Sequence, residues 1–141
     1  MRNSQLQGGT ILKTSVLELI KKRFSCRIHP NQPIEEASRH QLKAFLESRP
    51  TGPFGSPNRF LLIAAAENDR QALKSLGTYG FIKHAQGFIV GAMGPGEKNL
   101  EDFGYVMEQA ILLATELNLG TCWLGGSFTK SSFAKKIAAT A

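Results

Sequence analysis

An α+β domain, with helices covering a small central sheet, is the fold class the sequence predicts, and three patterns predict it. A long helical stripe runs from Leu100 to Leu117, two apolar runs of strand length precede it, RFLLIAA and GFIVGAM, and shorter amphipathic helices flank them. In chain order the elements read α, α, β, α, β, α, β, α, which fits an α+β or α/β sandwich. The length of 141 residues is one domain's worth of chain, and 42% hydrophobic content excludes a disordered tail.

The first helix is expected from Thr14. Val16, Leu17, Ile20 and Phe24 fall at i, i+1, i+4 and i+8, the stripe of a helix packing one face on a core, with Ser15 placed to cap it. Lys21, Lys22 and Arg23 occupy its last turn. A second helix is expected from Pro33 or Ile34 to Ser48, because Pro is tolerated in a first turn and Glu35 and Glu36 favour the positive end of the dipole. Ile34, Ala37, Leu42, Phe45 and Leu46 share its apolar face.

Arg49 to Asn58 (RPTGPFGSPN) carries three Pro and two Gly, which prohibits a regular element and gives a loop of restricted shape. It feeds the first strand, RFLLIAA. Asp69 to Leu76 reads as a short amphipathic helix, Gly87 to Met93 as a second buried strand, and Gly94-Pro95-Gly96 as a turn. The central helix places Phe103, Val106, Met107, Ala110, Ile111, Ala114 and Leu117 on one face, with Leu113 widening it. Gly120 is the expected C′ residue. TCWLGG reads as a third strand, and Phe128, Phe133 and Ile137 mark one last helix.

The net charge of +6 is unevenly placed. Residues 1–50 carry nine basic and four acidic side chains, residues 51–126 five and seven, and residues 127–141 three and none. A nucleic-acid binder would interleave such charge with exposed aromatics or carry a recognition helix, and no such pattern is present, so nucleic acid is not an expected partner. A small anionic ligand suits clustered charge; so does a solvated basic face. The longest uncharged apolar stretches fall well short of the roughly 18 residues a membrane span needs, and residues 1–15 lack a signal-peptide core. A cytoplasmic protein with no membrane partner is expected. Cys26 and Cys122 form no CxxC pair, and His29, His40 and His84 stand alone, so no metal site is expected.

Three segments carry the polar chemistry. In Arg23-Phe24-Ser25-Cys26-Arg27, two guanidiniums flank a hydroxyl, a set that can grip a phosphate dianion with bidentate contacts and one hydrogen bond. The same residues also fit a basic last turn that merely favours the helix dipole. Gly52-Pro53-Phe54-Gly55-Ser56-Pro57-Asn58 can offer backbone amides, Ser56 and Asn58 to a flat ligand's polar edge, with Phe54 stacking or packing; Gly/Pro turns before strands are also common. Gly120-Thr121-Cys122-Trp123-Leu124-Gly125-Gly126 ends on two residues without a Cβ, as close approach of backbone to a ligand requires, or as a bulge after a strand requires. GPGEK at Gly94 to Lys98 lacks P-loop spacing, and no GxGxxG opens a helix.

In combination, RFSCR after the first helix, the Pro/Gly/Ser/Asn loop running into RFLLIAA, and the long helix leading to LATELNLGTCWLGGSF resemble the FMN-dependent nitroreductase family. The resemblance spans about residues 14 to 128 in the family's order, and is similar in particular to a divergent bacterial and archaeal group whose loop reads GPFG. It implies a homodimer with each FMN at the dimer interface. It implies that Arg23 and Ser25 hold the FMN phosphate and that Arg27 reaches the ribityl chain or the pyrimidine edge of the ring. Ser56, Pro57 and Asn58 would stand in the loop that contacts the cofactor, and Leu124, Gly125 and Gly126 would supply the backbone beside the isoalloxazine.

The implied activity is ping-pong oxidoreduction: NAD(P)H as donor, and a nitro compound, quinone or activated alkene as small-molecule acceptor, with no side chain as nucleophile. Two departures stand out. The family's Asn-x-Gln-Pro-Trp-like loop is here Phe54-Gly55-Ser56-Pro57-Asn58, in which only Pro57 matches. Family members also continue past the Gly pair with a further helix, a strand and a basic phosphate-site residue, whereas this sequence stops at Ala141, so residues 1–13 are expected as a flexible N-terminus and 14–141 as a domain lacking its C-terminal elements. A second reading is a non-catalytic or truncated remnant of the same fold, serving as a structural or interaction module.

Overall fold

The computed structural model describes residues 12–66, 70–74 and 76–138. They form helices α1 (Val16–Lys22), α2 (Glu36–Glu47), α3 (Asn99–Glu116) and α4 (Lys130–Ala138), with strands β1 (Asn58–Ala64) and β2 (Gly87–Met93) between α2 and α3. This is a small α+β domain. The expected flexible segment falls largely on residues 1–11, outside the described residues, while Leu12 packs against the core.

β1 and β2 pair antiparallel, from Asn58 opposite Met93 to Ala64 opposite Gly87. Alternation then assigns the two faces of β2. A Cβ on Gly91 would lie 2.4 Å from the Phe103 ring, and Gly87 faces Ile34, so the odd-numbered face looks toward α2 and α3. Phe88 points the other way and meets Phe133 of α4 edge-on at 5.0 Å. The sheet is therefore sandwiched between α2 with α3 on one side and α4 on the other. The core lies on the first side, where Leu42, Phe45, Leu46, Phe60, Val106 and Ala110 are buried together.

The α3 stripe is buried as its periodicity predicts. Its C′ residue, however, is Asn118 rather than Gly120: Asn118 has φ 60°, its N–H donates to Thr115 O at 3.0 Å, and the Leu119 N–H reaches back to Ala114 O at 2.9 Å. That is a Schellman closure, with Asn in place of the expected glycine. Helix α2 starts at Glu36, two or three residues later than expected. The helix expected over Asp69–Leu76 is a 3-10 turn at Gln71–Leu73, with Asp69 and Ser75 outside the described residues.

Two further expectations are corrected. Helix α1 forms, and Ser15 caps it through a 3.4 Å bond from the Glu18 amide, but Val16, Leu17, Ile20 and Phe24 are each at least half exposed and only Leu19 is buried. The apolar stripe faces outward because this seven-residue helix meets the core along its Leu19 side. TCWLGG is not a strand: its only β contact among the described residues is a single parallel bridge from Thr121 to Ser25. A strand exists only through a paired neighbour, and residues 122–126 have none among the described residues.

Candidate functional site

The segment after α1 and the segment after α3 meet. Ser25 bridges Thr121, the Cys26 N–H donates to Thr121 O at 2.8 Å, and Arg23 Nε donates to Thr121 Oγ1 at 3.3 Å. Gly120 permits this approach, since a Cβ there would lie 2.7 Å from Cys26 Sγ. Residues nearly a hundred positions apart are thus joined into one surface, with Arg23 at the C-cap of α1 and Ser25 and Arg27 exposed beside it.

Arg23 Nη2 is buried and has no hydrogen-bond partner among the described residues. A buried guanidinium nitrogen left unpaired is costly, and an anion at that point would satisfy it. Arg27 anchors the segment through its backbone, accepting the Lys83 N–H at 2.8 Å. Its side chain is exposed.

Leu124 is half-buried, and Gly125 and Gly126 are exposed. Neither glycine has positive φ, and a Cβ on either would meet nothing within 4 Å. Neither backbone conformation nor internal packing therefore requires glycine at these positions. What the pair leaves is open space against bare backbone, room for a flat group to lie on it.

The third segment goes elsewhere. The loop of residues 52–58 folds around Asp102 in the first turn of α3. Phe54 N–H and Ser56 N–H donate to its two carboxylate oxygens at 2.7 and 2.8 Å, and a Cβ on Gly52 would lie 2.3 Å from Asp102 Cβ. Burial pushes the Asp102 carboxyl up, but the Phe54 amide and the Ser56 hydroxyl and amide together outweigh it and hold Asp102 below its ordinary 3.8. Ser56 is thus a buried partner of Asp102, not the free hydroxyl expected of it. Pro57 is exposed and its carbonyl accepts the Gly94 N–H at 2.7 Å. Asn58 is buried with both side-chain polar atoms unpartnered among the described residues, and Phe54 lies exposed.

Asp102 was not among the candidates drawn from the sequence. Its signal was present: it is a carboxylate on the apolar stripe of α3, four residues before Val106. His29, expected to stand alone, lies 3.8 Å from Cys26 Sγ through Nδ1. Burial lowers its pKa from 6.5, against an opposing hydrogen bond with the Cys26 backbone. No group of three or more His, Cys, Asp or Glu that could hold a metal occurs among the described residues, and no described helix is long and apolar enough to cross a membrane.

The site therefore consists of a basic, hydroxyl-bearing segment bridged to a glycine-ended one, with one orphaned guanidinium nitrogen at the seam. A family model described as "Putative TM nitroreductase" matches residues 15–141. No curated protein and no solved structure gives a match.

Proposed function

The chain belongs to the nitroreductase family that its residues 15–141 match, and from that premise we propose that this nitroreductase-like oxidoreductase binds FMN at the seam between Arg23–Arg27 and Leu124–Gly126. The observation that carries the reading is the unpartnered Arg23 Nη2 beside the Ser25–Thr121 bridge. A phosphate there would accept from Arg23 and from the Ser25 hydroxyl. The open backbone at Gly125 and Gly126 supports a ring lying flat against it.

When bound, FMN would supply hydride transfer from NAD(P)H to a small acceptor such as a nitro compound, quinone or activated alkene. The chain's own work is to bind, orient and tune. Arg27 would bring a fixed positive charge to the pyrimidine edge, where reduction leaves negative charge, and a pre-placed cation stabilises that charge without reorganisation. Leu124 would shield one side from water.

Within one protomer the loop bearing Ser56, Pro57 and Asn58 is tied to Asp102 rather than to this seam. Its contribution would come from the partner protomer of a homodimer, and the outward apolar face of α1 supports such a dimer. The test is uptake of FMN by the purified protein, read as visible flavin absorbance and quenched flavin fluorescence. Uptake is expected, and an Arg23→Ala, Arg27→Ala double variant should weaken it at least about tenfold, given the strength of charge-assisted bonds to phosphate. A protein that takes up no FMN would overturn the reading, and unchanged affinity in the double variant would overturn the assignment of the site.

A further inference from the structure

Cys26 and Cys122 stand 96 positions apart in the sequence, yet the seam brings them side by side. Ser25 bridges Thr121 in parallel, so the residue that follows the bridge is Cys26 on one segment and Cys122 on the other. The Cys26 N–H donates to Thr121 O at 2.8 Å. That bond and the fixed dimensions of the two peptide units hold the Cα atoms of Cys26 and Cys122 within about 7 Å of each other, the limit inside which a disulfide can close.

The two thiols also share a face. A Cβ on Gly120 would lie 2.7 Å from Cys26 Sγ and 2.8 Å from Cys26 Cβ, so Cys26 occupies the side toward which a side chain at Gly120 would point. Thr121 is bridged, and alternation along an extended segment returns Cys122, two residues past Gly120, to that same side. Both thiols are free and half-buried. Cys26 Sγ donates to Ile28 O and Cys122 Sγ to Trp123 O, each at 3.4 Å. Residues 122–126 have no ladder partner among the described residues to hold them against a small turn of the chain.

A base is in place for one thiol of the pair. His29 Nδ1 lies 3.8 Å from Cys26 Sγ, and burial favours the neutral imidazole, the form that accepts a proton. The thiolate so formed is the nucleophile of sulfur chemistry. Hydrogen peroxide is small enough to reach a half-buried sulfur.

We propose that Cys26 and Cys122 are a peroxide-oxidisable dithiol that closes a disulfide across the seam, with Cys26 meeting the oxidant and Cys122 resolving it. His29 takes the Cys26 proton and the thiolate attacks one oxygen of hydrogen peroxide. The O–O bond breaks, the sulfur becomes a sulfenic acid, and hydroxide leaves as water with the proton from His29. Cys122 sulfur then attacks Cys26 sulfur, the S–O bond breaks, and the hydroxyl leaves as a second water with the Cys122 proton. Two thiols lose two electrons and the peroxide gains them. An external thiol restores the pair by exchange. The flavin reading uses neither cysteine nor His29, and the product is covalent, so the two readings stand or fall separately.

The test treats the whole purified chain with one equivalent of hydrogen peroxide, quenches with an alkylating agent, and reads intact mass and peptide map. Loss of two hydrogens, no alkylated thiol and a crosslinked peptide joining Cys26 to Cys122 are expected, at a rate independent of protein concentration and with full reversal by dithiothreitol. Cys122→Ser should stop at a sulfenic acid on Cys26, trapped by dimedone, whereas Cys26→Ser should leave Cys122 unoxidised at that dose. His29→Gln should slow closure at least about tenfold with the circular dichroism of the reduced protein unchanged; an unchanged rate would overturn the role of His29. Thiols that stay reduced, oxidation of Cys122 ahead of Cys26, or bonds formed only between chains would overturn the proposal. The peptide map of the unaltered chain decides it even if a variant does not fold.

Discussion

Asp102 shows how one side chain sets the shape of a loop 46 residues away in sequence. Two backbone amides converge on a buried carboxylate, and Gly52 is required because a Cβ would occupy the carboxylate's place. Gly52→Ala should destabilise by about 1–3 kcal/mol, the cost of overpacking, measured as a lower urea midpoint at unchanged slope. The pH dependence follows from the lowered Asp102 pKa. The folded form holds the carboxyl below 3.8, so the unfolded chain binds the proton first as pH falls. The stability Asp102 supplies is present above 3.8 and is lost as pH drops through the folded value. Asp102→Asn should flatten that acid limb of the stability curve; a limb identical to the parent's would refute the assignment. His29 runs in the same direction: its pKa is lowered from 6.5, so its proton-linked loss begins below that value, and its NMR titration should have a midpoint under 6.5.

Among the elements, α1 separates two kinds of apolar residue that periodicity alone could not distinguish. Leu19 is buried and Leu17 is exposed. Leu19→Ala should cost about 2–5 kcal/mol of folding stability, whereas Leu17→Ser should change the stability of an isolated protomer by less than about 0.5 kcal/mol. If the exposed face covers a second copy, Leu17→Lys should lower the mass seen by sedimentation while leaving circular dichroism unchanged; equal masses at micromolar concentration would count against the dimer. Helices and the two paired strands were readable because their signals are local: the α3 stripe, the apolar runs of strand length at β1 and β2, the Pro and Gly punctuation before Asn58. What was not readable depends on partners. TCWLGG has the composition of a strand but, beyond the single Thr121 bridge, no neighbour to pair with among the described residues, the α1 stripe looks like a core stripe without a core against it, and Ser56 looks like an available hydroxyl until Asp102, 46 residues away, is placed beside it. Of the candidate site, the Arg23–Arg27 and Leu124–Gly126 segments were identifiable by residue type, while their juxtaposition through Thr121 was not.

For the molecule as a whole, the arrangement puts its best-packed region and its candidate chemistry in different places. The core gathers on α2, α3 and the inner face of β1 and β2, and the seam lies outside it, on exposed or half-buried residues. A ligand that binds only the folded state stabilises it by RT ln(1 + [L]/Kd), so saturating FMN at about a hundred times Kd should add about 2.7 kcal/mol. That increment should be reduced in Arg23→Ala.

The Ser25–Thr121 seam has a further consequence, in the order of events during folding. Arg23 and Thr121 are 98 positions apart, and closing a chain of that span costs about 4 kcal/mol of loop entropy. Ala64 and Gly87 close the hairpin across a separation of 23 positions, for about 3 kcal/mol, and α3 forms from contacts within itself. The seam is then a late contact, made after the hairpin and helix have condensed. Substitutions at Ser25 or Thr121 should speed unfolding and leave the refolding rate nearly unchanged, the signature of interactions absent from the transition state.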